Sequence, residues 1–136
     1  MMPAGYSGTP LAKKLGIKAG TVVVTIDAPE SYRDLLGPLP EDVSFAPELG
    51  DENGFIHVFV TSRSHLEERF SDYATRLRKD GILWISWPKK SAKIETDLSR
   101  DVIREIGLEG GLVDTKVCAV DETWSGLKFQ YRLRDR

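Results

Sequence analysis

Runs of apolar residues divide the chain and predict the strands of one sheet. Three of these runs predict buried strands, namely Thr21–Ile26, Phe55–Val60 and Ile82–Trp87. They do not alternate cleanly between apolar and polar residues, which is typical of parallel strands covered on both faces. A shorter run at Val43–Ala46 predicts a weak strand. Leu112–Val120 and Leu127–Leu133 predict two more, joined by a turn at Asp121–Gly126.

Segments with helical spacing of apolar residues separate the predicted strands. Thr9 as N-cap and Pro10 as first helical residue predict a short helix over 10–15, and Pro29 opens another over 29–36.

A longer helix is predicted to begin at the capping-box pair Ser64 and Glu67 and to end at Gly81. Asp97 is predicted to cap the last helix, which ends near residues 110–111.

This alternation of strands and helices predicts a single α/β domain over residues 1–136, with residues 1–8 as an N-terminal arm. The fold class is a three-layer sandwich with a mostly parallel, Rossmann-like sheet. The short connection before the last strand requires that strand to run antiparallel to its neighbour. Leu127–Leu133 is also a candidate sheet edge. Lys128, Arg132 and Arg134 would protect that edge from pairing, which favours a monomer.

Composition narrows the class of protein further. The 136 residues include 19 basic and 21 acidic side chains, for a net charge of -2, so nucleic acid is disfavoured as a partner. No apolar run approaches the roughly 18–20 residues that span a bilayer, and the first ten residues lack the pattern of a signal peptide. The single cysteine, Cys118, excludes an internal disulfide. We therefore expect a soluble, cytoplasmic protein that does not enter a membrane.

The order of elements resembles the Rossmann-like fold of class I methyltransferases over about residues 9–133, in a shortened version. Four segments of the sequence also resemble DUF3052, a bacterial family of small proteins of unknown function. These segments are AGYSGTPLA at 4–12, WPKK at 87–90, TDL at 96–98 and GLVDTKVCAVDETWSGLK at 111–128. The family resemblance implies a fold and no particular activity.

The turn after the first strand decides which cofactors such a scaffold can bind. In this fold a glycine-rich turn lets the backbone approach a cofactor, and the next helix offers free amides. Here the turn is Asp27-Ala28-Pro29-Glu30-Ser31, which has no glycine, loses one amide at Pro29 and adds the charge of Glu30. A dinucleotide site is disfavoured. S-adenosylmethionine has no phosphate and is disfavoured less, so the sequence leaves the cofactor unknown.

Ligands of open parallel sheets bind beyond the carboxyl ends of the strands, where three loops of this chain should meet. The candidate ligand-binding residues in these loops are Asp27, Trp87, Lys89, Lys90, Asp121 and Trp124. Tryptophans beside lysines suit a flat, anionic small ligand, or a protein partner. In the alternative interpretation Trp87 completes the core and the lysines are solvated. Nucleic-acid binding through Lys89, Lys90 and Lys93 is the third alternative.

The sequence predicts no catalytic residue and no metal ligand set. His57 lies within an apolar strand and is expected to be a hydrogen-bonded core residue, whereas His65 is expected to be exposed. Cys118 lies between Val117 and Ala119 and is expected to be a buried, inert thiol. Two functions remain open. One is a non-catalytic binding module on a degenerate methyltransferase-like scaffold. The other is a small transferase that binds S-adenosylmethionine or a nucleotide-like ligand at the same edge.

Overall fold

The computed structural model describes residues 9–136, so the predicted arm over residues 1–8 lies outside the described residues. The described part contains six strands: β1 (Val22–Ile26), β2 (Ser44–Ala46), β3 (Asn53–Phe59), β4 (Leu77–Pro88), β5 (Leu112–Ala119) and β6 (Trp124–Tyr131). It also contains four α-helices: α1 (Leu11–Leu15), α2 (Tyr32–Leu36), α3 (Arg63–Thr75) and α4 (Arg100–Glu109).

All six strands form one sheet in the order β2-β1-β3-β4-β6-β5. The pairs β2–β1, β1–β3 and β3–β4 are parallel, and β6 is antiparallel to both β4 and β5. The predicted α/β class, with a mostly parallel sheet and a reversed last strand, is therefore confirmed.

Helices cover the sheet on both sides and give the molecule three layers. Leu11, Leu15 and Leu36 of α1 and α2 pack against Phe55 and Phe59 on what we call the α1/α2 face. The opposite side, the α3/α4 face, joins buried residues of α3 and α4 to the strands, among them Leu66, Phe70, Ile103, Ile106, Ile85 and Phe129. Alternation along each strand sends successive side chains to opposite faces. The face of a residue therefore follows from its position in the strand.

The last strand is not a sheet edge. β6 lies between β4 and β5, so the prediction that Leu127–Leu133 forms an edge is wrong. The physical reason is that β5 extends the sheet outside its own hairpin partner, which leaves β2 and β5 as the edges. The protective role assigned to Lys128 loses its basis, and with it the argument for a monomer.

All three predicted helix caps, Ser64, Asp97 and Thr9, are also wrong. Ser62, not Ser64, caps α3, because its side chain accepts a hydrogen bond from the His65 amide at 3.4 Å. Ser99 caps α4 through the Val102 amide, at 3.3 Å. At the first helix, Pro10 is the N-cap and no side chain caps α1, so Thr9 does not have the predicted role.

The end predicted for the third helix is wrong as well. α3 ends at Thr75, and Gly81 lies within β4. A Cβ atom at Gly81 would come within 3.0 Å of the backbone oxygens of Arg78 and Asn53, so the close approach of two strands explains this glycine.

Trp84 anchors α1 to the middle of the sheet. Its ring is fully buried, and its indole Nε1 donates a hydrogen bond to the backbone oxygen of Leu15 at 2.8 Å. On the other face, α4 packs so closely on β6 that a Cβ at Gly107 would overlap the ring of Phe129. Every helix of residues 9–136 is too short or too polar to cross a lipid bilayer.

Candidate functional site

A cavity of about 230 Å³ lies at the carboxyl edge of the parallel strands. Its lining comes from the turn after β1, from the last residue of β3 with the segment that follows it, and from the first residue of β6. The lining residues are Asp27, Phe59, Val60, Thr61, Ser62, His65 and Trp124. We call this space the edge cavity; it lies at the edge where the sequence predicts ligand binding.

Two of the predicted ligand-binding residues, Asp27 and Trp124, meet in the edge cavity. Asp27 is exposed and has a positive φ of 58°, a conformation that aspartate tolerates better than most residues. Trp124 is half-buried, and its ring stands edge-to-face on Phe59 with the centroids 5.1 Å apart. The cavity therefore presents a carboxylate beside an aromatic pair.

Asp121 positions Trp124 and does not point free into the cavity. Its Oδ1 accepts hydrogen bonds from the backbone amides of Thr123 and Trp124, at 2.8 and 2.7 Å. A carboxylate that holds its own turn in this way is a common device in tight turns. The residue predicted to bind ligand thus acts on the site through the turn that carries the indole ring.

The segment after β3, which forms one wall of the edge cavity, is hydrogen-bonded to the loop that follows β4. Thr96 Oγ1 donates to the Thr61 backbone oxygen at 2.6 Å. Asp97, which was predicted to cap α4, instead accepts a hydrogen bond from the Arg63 amide at 2.7 Å, at the start of α3. These contacts give the cavity a fixed wall on the β3 side.

Trp87 lies on the other face of the sheet. It is 8% exposed and belongs to the core between the sheet and α3 and α4. In the β4–β6 pairing, Trp124 is opposite Pro88, and Trp87 is opposite Ser125. The two tryptophans therefore point in opposite directions. The structure supports the alternative interpretation, in which Trp87 completes the core.

The predicted lysines do not line the edge cavity. Lys89 is half-buried, and its amide donates to the Thr123 backbone oxygen at 2.8 Å, so it is held at the β5–β6 turn. Lys90 is exposed on a 3₁₀ turn at Lys90–Ala92. The charge that the lining presents is the Asp27 carboxylate, so the flat anionic ligand expected from the sequence does not match this cavity.

A chain of three buried polar side chains lies beneath the site. His57 Nδ1 is 2.9 Å from the Tyr32 hydroxyl, and its Nε2 is 2.7 Å from Ser86 Oγ. Burial lowers the pKa of His57 from 6.5 to about 3 and raises the pKa of Tyr32. His57 is therefore a neutral core residue with both ring nitrogens bonded, as the sequence predicted.

Sequence reasoning missed five residues of the cavity lining, namely Phe59, Val60, Thr61, Ser62 and His65. His65 was expected to be exposed, but it is half-buried and lines the space. A usable signal was present in the sequence. Phe59 ends β3, the others follow it, and Ser62 is the cap of α3; such strand-to-helix junctions lie at the ligand-binding edge of parallel sheets.

A metal centre and a reactive thiol are two further kinds of candidate site. No group of three His, Cys, Asp or Glu side chains within residues 9–136 is placed to hold a metal ion. Cys118 is half-buried, not buried as expected. Its Sγ donates to the Ala119 backbone oxygen at 3.3 Å, and burial raises the pKa of its thiol. A raised pKa disfavours the nucleophilic thiolate.

A larger cleft of about 400 Å³ adjoins the turn after β1 on the α1/α2 face. Ala28, Pro29 and Glu30 form part of its lining, and the Arg33 guanidinium lies 4.1 Å from the centre of the Phe45 ring beside it. The glycine-free turn therefore separates two spaces. Both spaces adjoin carboxyl ends of parallel strands, where ligands bind in such sheets: the cleft at β1 and β2, and the edge cavity at β1 and β3.

Solved structures of methyltransferases share this fold. Magnesium protoporphyrin IX methyltransferase from Synechocystis PCC 6803 with bound SAM aligns with a TM-score of 0.56 and 12% identity, over 90% of this chain and 74% of that chain. The DhpI–SAH complex aligns at 0.61 and 10%, over 91% and 83%. A putative methyltransferase complexed with the Haloferax volcanii Trm112 activator aligns at 0.61 and 11%, over 90% and 87%.

At these identities the likeness establishes the Rossmann-like, class I methyltransferase fold and nothing finer. No family model and no curated protein matches the sequence. The DUF3052 resemblance therefore remains an expectation from the motifs.

Proposed function

We propose that the protein is a non-catalytic module that binds a small ligand with a positively charged group in the edge cavity. The observation that carries the proposal is the meeting of the Asp27 carboxylate and the Trp124 ring at one small space. A cation is attracted both by a carboxylate and by the face of an indole ring, and the pairing gains strength where water is partly excluded.

The cavity is preorganised for such a ligand. Asp121 fixes the backbone that carries Trp124, and Phe59 supports the indole ring from the side. Ordering these groups before binding removes part of the entropic cost of association. The volume of about 230 Å³ lies below the usual range of about 300–1,000 Å³ for drug-sized ligands, so the ligand or its bound portion is small.

The non-catalytic character is inferred from the two histidines. General-base catalysis needs a base that is both oriented and within reach of the substrate. His57 is oriented by Tyr32 and Ser86 but is fully buried. His65 reaches the cavity, yet no side chain within the described range orients its ring by a hydrogen bond. Each histidine has one of the two properties.

Binding of S-adenosylmethionine at the same edge, as part of a small transferase, is the second candidate function. It is favoured by the fold that this chain shares with methyltransferases solved with SAM or SAH. The turn at residues 27–31 weighs against it, because it has no glycine and Pro29 offers no amide. The sulfonium group of this molecule would still suit the Asp27 and Trp124 pair.

The motif resemblance supports a further, broader proposal, namely that the chain is a bacterial, cytoplasmic member of the DUF3052 family. The 18-residue segment at 111–128 carries most of that resemblance, and it forms β5, the β5–β6 turn and the first part of β6.

The test is a calorimetric titration with three probes: tetramethylammonium, S-adenosylmethionine and S-adenosylhomocysteine, which lacks the sulfonium charge. We expect the first two to bind, and we expect Asp27→Asn or Trp124→Ala to weaken them at least about tenfold, or by about 1.4 kcal/mol. Glu30→Gln is the matched control, because it removes one carboxylate from the same turn outside the cavity lining.

The outcomes separate the two candidates. Equal binding of S-adenosylmethionine and S-adenosylhomocysteine, with no response to tetramethylammonium, would overturn the cation proposal in favour of the cofactor site. No binding by any probe would contradict both.

A further inference from the structure

Lysines from three parts of the chain lie close together on the α1/α2 face. We call Lys14, Lys116 and Lys128 the lysine cluster. At its centre, Lys116 of β5 pairs directly with Lys128 of β6. Lys116 Nζ also donates to the Lys14 backbone oxygen at 3.0 Å, which holds this ammonium group near the end of α1.

The charges of the cluster act on one another. Burial lowers the pKa of Lys128, and the nearby charges of Lys116 and Lys18 lower it further. Lys14, Lys116 and Lys89 all act on the thiol of Cys118, which lies on the same face of β5 as Lys116. Lys18 adds to the positive charge around the cluster, whereas Lys89 lies outside it, at the β5–β6 turn.

Like charges directly opposite each other across two strands are destabilising. No carboxylate offsets them, since every ion pair within residues 9–136 uses an arginine as its cation. Residues 1–8 contain no aspartate or glutamate and cannot supply the missing counter-charge. The repulsion between these lysines therefore lowers the stability of the folded protein, and no nearby carboxylate of the described residues compensates for it.

We propose that the lysine cluster binds a compact polyphosphate-type anion, meaning a small ligand with at least two linked phosphate groups. The site is independent of the edge cavity. Trp124 and Lys128 are four residues apart on β6, or about 13 Å at roughly 3.3 Å per residue.

The geometry favours a compact anion over a long one. Residues directly opposite in an antiparallel pair have Cα atoms about 4.5–5.5 Å apart, so both ammonium groups can reach one phosphate or two that are linked. A nucleic-acid strand would extend beyond the cluster over a molecule whose net charge is -2. Residues 27–52 alone contain eight acidic side chains and one basic one, which would repel a long polyanion.

The test is a titration of inorganic tripolyphosphate into the full chain, with sodium sulfate at matched ionic strength as background. The double variant Lys116→Gln, Lys128→Gln should bind at least about tenfold more weakly. The matched control, Arg69→Gln with Arg100→Gln, removes two positive charges from α3 and α4 on the opposite face and should change the dissociation constant less than about twofold.

Three results would overturn the proposal. They are an absence of tripolyphosphate binding to the wild-type chain, an equal loss of affinity in both double variants, and tighter binding of a single-stranded oligonucleotide than of tripolyphosphate. Thermal unfolding of each variant verifies that it is folded. Since the lysine variants remove a repulsion, we expect them to unfold at the wild-type temperature or above.

Discussion

The two faces of the sheet are built from different kinds of side chain. The α3/α4 face buries a continuous set of apolar groups, and even Trp87 serves as core there. The α1/α2 face carries His57 and Ser86 in its interior, Trp124 at its carboxyl edge and the lysine cluster at its open end. The apolar core of the α3/α4 face stabilises the fold. The α1/α2 face can therefore hold polar groups that are not needed for stability.

The largest effect that would test this contrast is Trp87→Ala. Removal of a buried tryptophan from a packed core costs about 3–5 kcal/mol, so we expect a loss of that order in urea unfolding. Trp124→Ala, at a half-buried position, should cost clearly less. If Trp87→Ala instead left the stability unchanged and abolished ligand binding, the division between the faces would fail.

The second largest effect is the loss of stability at acidic pH that the buried His57 causes. Its pKa is about 3 in the folded protein and near 6.5 in the unfolded chain, so below pH 6.5 the unfolded chain binds the extra proton. The stability contribution of neutral His57 is therefore complete above pH 6.5 and is lost as the pH falls toward 3. Between pH 6.5 and 4 the free energy of unfolding should drop by about 3 kcal/mol more in the wild type than in His57→Gln.

This comparison is made by denaturant unfolding at several pH values on both proteins. Parallel stability curves would mean that His57 is protonated in the folded protein, which contradicts its neutral role between Tyr32 and Ser86.

A smaller effect is expected at the turn that holds Trp124. Asp121→Ala removes an acceptor from two backbone amides, so we expect a loss of about 1–2 kcal/mol. Because the turn also places the indole ring, affinity at the edge cavity should fall together with stability. Glu122→Ala, an exposed neighbour in the same turn, is the control and should leave both unchanged. Retained affinity in Asp121→Ala would show that the ring is held by Phe59 alone.

The smallest effect has the opposite sign. Lys128→Gln removes one partner of the cross-strand pair with Lys116 and should raise the free energy of unfolding by roughly 0.2–1 kcal/mol at low salt. The gain should shrink as salt screens the repulsion. A destabilised variant at every salt concentration would indicate that the Lys128 side chain contributes packing that outweighs its charge.

The strands and their burial could be predicted from the sequence because buried parallel strands leave unbroken apolar runs, as at Phe55–Val60 and Ile82–Trp87. The strand order could not be predicted. The local sequence of the last strand is the same whether it lies at the edge of the sheet or between β4 and β5. The caps were misplaced for a related reason. Ser62 and Ser64 have equal local capacity to cap, and the contact of Asp97 with the Arg63 amide depends on tertiary placement.

The sequence predicted the edge of the sheet at which the cavity lies, and the structure brings only some of the predicted side chains together there. The loops that meet there follow from parallel topology, and Asp27 and Trp124 do line one space. Trp87 and Trp124 were grouped because both belong to loops near that edge in the sequence. Whether two residues share a face depends on the pairing of β4 with β6, which places Trp124 opposite Pro88. That register is a long-range property that no local pattern reveals.

The most direct test of a binding site on the α1/α2 face uses the indole N–H signals of the three tryptophans in a ¹H–¹⁵N spectrum, assigned by Trp→Phe variants and followed during titration with tetramethylammonium and S-adenosylmethionine. The Trp84 indole donates to Leu15 and the Trp87 ring lies in the opposite core, so both signals should stay in place. We predict a saturable shift of the Trp124 signal that is absent in Asp27→Asn. A shift confined to Trp87, or equal shifts of all three signals, would contradict the assignment of the ligand site to the edge cavity.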